Sequence, residues 1–159
     1  MLKIINKILE KELFVLKSEK VKKFLENNGI QINKLDAIEI FGGKGLNDSI
    51  FAKNTKTFEV WEIEEELKKK LKKNLPNAKI TICDSIKILN EKNDFKKYDL
   101  ILIDNPIGVF GKTLEYCEHF DLIKNIDKLI ENESIIIFLV NKKPFFSNKL
   151  IEKNQLWRK

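Results

Sequence analysis

The sequence predicts an α/β protein built on a mostly parallel sheet, and three observations carry that prediction. Five short apolar, β-branched segments alternate with helix-periodic segments over residues 36–141. The first of them runs straight into a glycine turn, Gly42-Gly43-Lys44-Gly45, and then a helix start. Acidic residues stand at the ends of the next three apolar segments, as Glu62, Asp84 and Asp104. Strands alternating with helices need right-handed crossovers, which leave neighbouring strands parallel.

The elements follow in order. Residues 2–16 place Leu2, Ile5, Leu9, Leu13 and Leu16 at helical spacing. Ser18 can cap a second helix with Val21, Phe24 and Leu25 on one face, closed by Asn28-Gly29. Its opposite face holds Lys17, Lys20, Lys22 and Lys23, which read as a docking surface for nucleic acid or substrate, or as a solvated helix face. Residues 37–41 are apolar enough for a buried strand. The glycines after it permit positive φ and close approach of a ligand, and a helix begins around Ile50-Phe51-Ala52. Residues 57–63 read as the second strand. A helix over 64–74 follows, with Ile63, Leu67 and Leu71 four apart and glutamates preceding lysines in the sense the helix dipole favours. Pro76 stops it. Residues 79–83 form the third strand, and Asp84-Ser85 cap a short helix through Ile86, Ile88 and Leu89.

The fourth strand, 98–103, is continuously apolar, as in a strand covered on both faces, and ends in Asp104-Asn105-Pro106. A glycine-containing loop over 107–119 leads to a helix carrying Phe120, Ile123, Ile126, Leu129 and Ile130. Residues 135–140 are the fifth strand. The remaining residues, 142–159, leave room for one helix or a small hairpin. One domain is expected, with an N-terminal helical extension (1–34), a core (36–141) and a short tail (142–159).

Composition narrows the function classes. The longest apolar runs, 100–103 and 135–140, are far too short to span a bilayer, and the N-terminus lacks the pattern of a signal peptide. Cys83 and Cys117 have no Cys-x-x-Cys spacing and read as free thiols of a reducing, cytoplasmic compartment. No metal site is expected, because His119 is the single histidine; it reads as a general base or as a structural residue. The net charge of +6 fits an anionic partner such as RNA or DNA, or the lysine-rich background of an AT-rich genome. Arg158 is the only arginine, whereas direct readers of nucleic acid lean on arginine.

Three site types use a glycine turn after a first strand. A Walker loop needs Gly-Lys followed by Ser or Thr, but Lys44 is followed by Gly45. A dinucleotide fingerprint needs a third glycine where Asp48 stands, and a carboxylate there repels a pyrophosphate. The third type keeps an acid inside the strand. Here Glu39-Ile40-Phe41-Gly42-Gly43-Lys44-Gly45 resembles the first motif of the class I S-adenosylmethionine-dependent methyltransferases, acidic-x-Phe/Gly-x-Gly-x-Gly.

The resemblance covers roughly residues 36–141 and implies a Rossmann-like, three-layer αβα sandwich. Its strand order would be 3-2-1-4-5, with N-terminal helices and a reduced C-terminal strand region. It implies S-adenosylmethionine as cofactor, held by Glu39, Phe41, Gly43 and Gly45, by Glu62 and Ile63 at the second strand end, and by Asp84 and Ser85 after the third. Glu62 would take the ribose hydroxyls, since a carboxylate can accept two hydrogen bonds from a cis-diol. Asp84 would take the adenine amino group, or serve only as a helix cap.

Asp104, Asn105 and Pro106 stand where the family carries its catalytic or substrate-orienting motif. In the subgroup that methylates amino groups of bases or of glutamine, that motif is [DN]-P-P-[YFW]. Asp104 and Pro106 keep two positions; Asn105 and Ile107 replace a proline and the base-stacking aromatic, a role Phe110 could take. The ribose 2′-O-methyltransferases use a Lys-Asp-Lys-Glu set, for which Lys20–Lys23, Asp104, Lys142 or Lys143 and Glu152 are the only material. The expected activity is methyl transfer to RNA, less so DNA. A small-metabolite or protein acceptor, a non-catalytic cofactor-binding partner subunit and a nicotinamide enzyme are the alternatives.

Overall fold

Five strands pair into one sheet: β1 (Asp36–Ile40), β2 (Thr57–Glu62), β3 (Lys79–Ile82), β4 (Leu100–Ile103) and β5 (Ile135–Phe138). Their spatial order is β3-β2-β1-β4-β5, and every neighbouring pair is parallel. The structure is a computed structural model and describes residues 18–46, 49–104 and 118–138, with backbone alone for 49 and 118–120. The expectations placed on the helix over 2–16, on Asp48, Asn105, Pro106, Ile107, Phe110 and Cys117, on strand residues 139–140 and on the tail 142–159 lie outside these residues.

The period-2 alternation of side chains along each strand divides the core into two layers. On one face Ala37, Phe58, Val60, Leu100 and Leu102 meet Leu25 of α1 (18–27), Phe51 of α2 (Ser49–Asn54) and Leu71 of α3 (Lys68–Asn74). On the other, Ile38, Ile40, Trp61, Ile101 and Ile103 meet Leu89 of α4 (Ser85–Glu91), Leu122 of α5 (Glu118–Ile123) and Leu129. Phe51, Leu71, Leu89, Leu122 and Leu129 are fully enclosed, and each such side chain contributes about 1.5–3 kcal/mol. The result is the three-layer αβα arrangement expected from the sequence.

Several boundaries differ, each for a local reason. The helix expected over 64–74 is a 3-10 turn, Glu65–Leu67, followed by α3. Ile63, expected on its apolar face, is 62% exposed. The Glu62 carboxylate accepts the Glu64 N–H at 2.8 Å, and Glu64 is extended (φ −86°, ψ 104°), so no helical turn forms there. Tyr98 lies before β4: its N–H donates to the Leu129 carbonyl (2.9 Å) and its hydroxyl to Glu59 (2.9 Å). The helix expected through Ile130 stops at Ile123, and a 3-10 turn, Ile126–Leu129, follows. Asn125 leaves helical geometry between them (φ −121°, ψ 10°), and its side-chain amide donates to Asn90 Oδ1 at 2.9 Å. His119 falls within α5 rather than in the preceding loop.

Candidate functional site at the carboxyl edge of the sheet

Because all five strands run the same way, their C-terminal ends share one edge. The register aligns Ile40 with Trp61 and with Ile103, and Glu62 with Ile82. The ladders continue one bond further: Gly42 N–H donates to the Trp61 carbonyl (3.0 Å), Asp104 N–H to Ile40 (3.3 Å) and Cys83 N–H to Glu62 (2.8 Å). Phe41, Glu62 and Asp104 therefore lie in one row across three adjacent strands, with Asp84 just beyond β3. Four residues far apart in the chain meet because parallel pairing leaves each crossover starting from the same edge.

The glycine turn is built into this row. Phe41 leaves β1 with φ 67°, an uncommon conformation for a residue with a large side chain. Its ring packs against the Ile38, Ile40, Trp61 and Ile103 layer, which anchors it. Gly43 and Gly45 also have positive φ, 52° and 64°. The surroundings of the two differ. A Cβ at Gly45 would stand 2.7 Å from Leu75 Cδ1, so this glycine faces the core, whereas nothing lies within 4 Å of a Cβ at Gly43. Gly43 is therefore where the backbone of the turn is open to a ligand. At Gly42, whose φ is unremarkable, a Cβ would collide with Val60 Cγ1.

Glu62 organises the turn. It is 6% exposed; Oε2 accepts the Gly43 N–H at 2.6 Å and Oε1 accepts the Glu64 N–H at 2.8 Å. Each oxygen keeps a further lone pair for an outside donor. On the far side of the turn, Asn74 Nδ2 donates to the Lys44 carbonyl at 2.7 Å, fastening the loop to the end of α3. Sequence reading missed that contact because the two residues are thirty positions apart and neither belongs to a motif.

The remaining candidates fall into place unequally. Glu39 is fully buried on β1, on the same sheet face as Glu62 by strand alternation. Asp104 is half-buried directly after β4. Asp84 is exposed and caps α4, with Oδ1 accepting the Lys87 N–H at 3.0 Å. Ser85 is buried, in the first turn of α4. Ile63 is exposed beside Glu62. Cys83 is a free thiol; burial first, then the charges of Asp84, Glu59 and Glu62, push its pKa up to about 11. It is therefore protonated, and not a nucleophile, at neutral pH.

One buried acid had no place in the sequence reading. Glu59, in the middle of β2, points to the face opposite Glu62 and accepts from Trp61 Nε1 (3.0 Å), Tyr98 Oη (2.9 Å), Thr81 Oγ1 (3.2 Å) and Lys79 Nζ (3.1 Å). Burial raises its pKa, but the hydrogen bonds from Trp61, Lys79 and Tyr98 and the Lys79 charge together outweigh this and leave it lowered. Its partners are all protein groups, so it stabilises the sheet. The signal available was a single acid between two buried apolar residues, Phe58 and Val60.

Among the described residues no group of three or more His, Cys, Asp or Glu side chains is arranged to hold a metal ion, and no helix is long and apolar enough to cross a membrane.

No family model matches the chain, and no curated protein matches it. Solved structures do. CalS10, an amino pentose methyltransferase from Micromonospora echinaspora solved with S-adenosylmethionine, is similar with a TM-score of 0.65 at 10% identity, over 89% of this chain and 57% of that one. A protein from Thermoplasma acidophilum is similar with a TM-score of 0.55 at 18% identity, over 84% and 70%. The DhpI complex with S-adenosylmethionine and HEP gives a TM-score of 0.54 at 10% identity, over 78% and 54%. The chain thus spans little more than half the length of CalS10 and of DhpI. Its fold is the Rossmann-like α/β fold of the class I S-adenosylmethionine-dependent methyltransferases.

Proposed function

We propose that the chain binds S-adenosylmethionine at the carboxyl edge of its sheet and transfers the methyl group to an acceptor carried on RNA. The observation that supports this reading most is the meeting of Glu62 with the open Gly43 backbone, flanked by Asp104 in the same row and by Asp84 beyond β3. S-adenosylmethionine supplies a methyl group on a positively charged sulfonium, which is already an activated leaving group.

The residues present suit such a ligand. The free lone pairs of the Glu62 carboxylate are available to the two hydroxyls of a ribose, while its bonds to Gly43 and Glu64 hold it in one orientation. The absence of a side chain at Gly43 leaves space over the turn. Asp84 keeps one carboxylate oxygen beyond its capping bond for an amino group. Four carboxylates near this edge, Glu39, Glu62, Asp84 and Asp104, disfavour an anionic pyrophosphate and favour a cation. Asp104 orients the acceptor and takes up or steers the proton it loses; transfer then rests on positioning more than on covalent help from the protein. Asn105 and Pro106, next in the chain, belong to the same proposed acceptor motif.

A basic balance of +6 supports RNA as the acceptor. A small-molecule acceptor is the second reading, because CalS10 is an amino pentose methyltransferase. A thermal-shift titration with S-adenosylmethionine, S-adenosylhomocysteine, NAD and ATP tests the cofactor: stabilisation by the first two is expected, and none at saturating concentration removes the assignment. Transfer of radiolabelled methyl to RNA, compared with protein and small-molecule pools, tests the acceptor. Asp104→Ala is expected to keep the thermal shift and abolish transfer; full transfer by that variant removes Asp104 from the mechanism.

A further inference from the structure

Among the described residues, charge is unevenly distributed over the two helical layers. The segments that form the α1–α2–α3 layer, with the glycine turn and the 3-10 turns (18–35, 41–46, 49–56 and 63–78), contain twelve lysines against five acids. The segments of the opposite layer (83–99 and 118–134) contain six lysines against nine acids. Among the described residues the excess of lysine over acid is thus concentrated on one face.

On that face Lys69, Lys70, Lys72 and Lys73 of α3 and Lys44 of the glycine turn are all exposed, and among the described residues none of them takes part in an ion pair. Complementing the helix dipole accounts for Lys72 and Lys73, in the last turn of α3. It does not account for Lys69 and Lys70, nor for Lys44, which is in no helix. The bond from Asn74 to the Lys44 carbonyl joins α3 to the turn, so this run of charge reaches the edge where Glu62 and Asp104 lie.

A second, independent observation comes from α1. Phe24 is 65% exposed, while Leu25 and Val21 of the same helix pack into the core. Lys20 lies one helical turn before Phe24, on the same side, and Lys23 is adjacent. Among the described residues neither Lys20 nor Lys23 takes part in an ion pair, so an exposed aromatic ring stands beside two exposed positive charges. Aromatic rings interleaved with positive charge are how proteins hold unstacked bases and track a phosphate backbone.

We propose that the α1–α2–α3 face is a docking surface for single-stranded RNA, with Phe24 stacking on a base and the lysines of α3 and Lys44 contacting phosphates on the way to the carboxyl edge. The assignment of RNA rests on the proposed acceptor; the surface itself rests on the charge distribution and on Phe24. Lysine in place of arginine suits it, since a backbone contact needs a point charge rather than a fork that reads base edges.

Fluorescence anisotropy of a labelled single-stranded RNA with the full chain, over a salt series, tests the proposal. Binding is expected to weaken as salt rises. Replacing Lys69, Lys70, Lys72 and Lys73 together by Gln is expected to reduce the slope of log K against log salt by about 3, at about 0.7 per lost contact. Phe24→Ala is expected to weaken binding about tenfold while leaving that slope unchanged. The pair Lys87→Gln and Lys124→Gln, on the opposite layer, is expected to bind as the parent does. No binding at low salt, parental binding by both face variants, or equal or tighter binding of single-stranded DNA, duplex RNA or polyglutamate overturns the proposal. Thermal shift with S-adenosylmethionine, without RNA, is read on the same variants. Its failure in the parent removes the methyl-donor reading and leaves the docking surface standing, whereas failure of RNA binding alone removes only the surface.

Discussion

Replacing Glu62 by Ala tests the link between the glycine turn and the site most directly. The carboxylate holds two backbone donors, Gly43 N–H at 2.6 Å and Glu64 N–H at 2.8 Å, at a position 6% exposed. A hydrogen bond to a charged group contributes about 1.5–3 kcal/mol, so the pair is worth about 3–6 kcal/mol before relaxation. The site lies at the sheet edge, and water entering the space left by the side chain restores part of this. The expected loss is about 3 kcal/mol, which for a chain of this size lowers the melting temperature by about 6–12 °C. Glu62→Gln keeps an acceptor for one donor and sets its amide against the other, so about half that loss is expected. Thermal melting monitored by circular dichroism measures both. Hydrogen exchange adds a local readout, since protection at Gly43 and Glu64 is expected to vanish in Glu62→Ala. A melting temperature within about 1 °C of the parent, with protection intact, would falsify the idea that this carboxylate organises the turn. If stability falls but the S-adenosylmethionine shift survives unchanged, Glu62 serves the turn alone and takes no part in binding.

Other outcomes follow from neighbouring residues. Gly45→Ala combines φ 64° with a Cβ 2.7 Å from Leu75 Cδ1; a loss of about 2–4 kcal/mol in urea unfolding is expected. Gly43→Ala meets no neighbour and should cost only about 1 kcal/mol, yet it should weaken cofactor binding by calorimetry; unchanged affinity places the ligand elsewhere. The lowered pKa of Glu59 means its contribution is fully present above the ordinary glutamate value of 4.5 and is lost as pH falls through the lower folded value. Glu59→Gln is therefore expected to be less stable at neutral pH and to show a shallower loss of stability between there and about pH 3, by urea unfolding; parallel acid limbs contradict this. Cys83, with its thiol pushed up to about 11, should alkylate with iodoacetamide far more slowly near neutral pH than a free thiol peptide, and equal rates contradict its burial.

The sequence by itself determined the α/β class, the five strands, the glycine turn and which acids follow each strand. Those features are local: apolar runs of β-branched residues, glycines where φ turns positive, and Asp84 placed to cap α4 are all legible within a few positions. The docking of Phe24 and Ile63 was not legible, because helical spacing marks a face without saying what covers it. Both residues were assigned to apolar faces, and both are exposed. Glu59 was passed over because its four partners, Trp61, Lys79, Thr81 and Tyr98, come from three different segments. Only the tertiary structure decided that Glu62 closes on Gly43 while Glu59, three residues earlier, turns to the other side. The physical reason is strand alternation combined with register. Parity sends the two carboxylates to opposite faces, and parallel pairing then brings one beneath the turn and surrounds the other with donors.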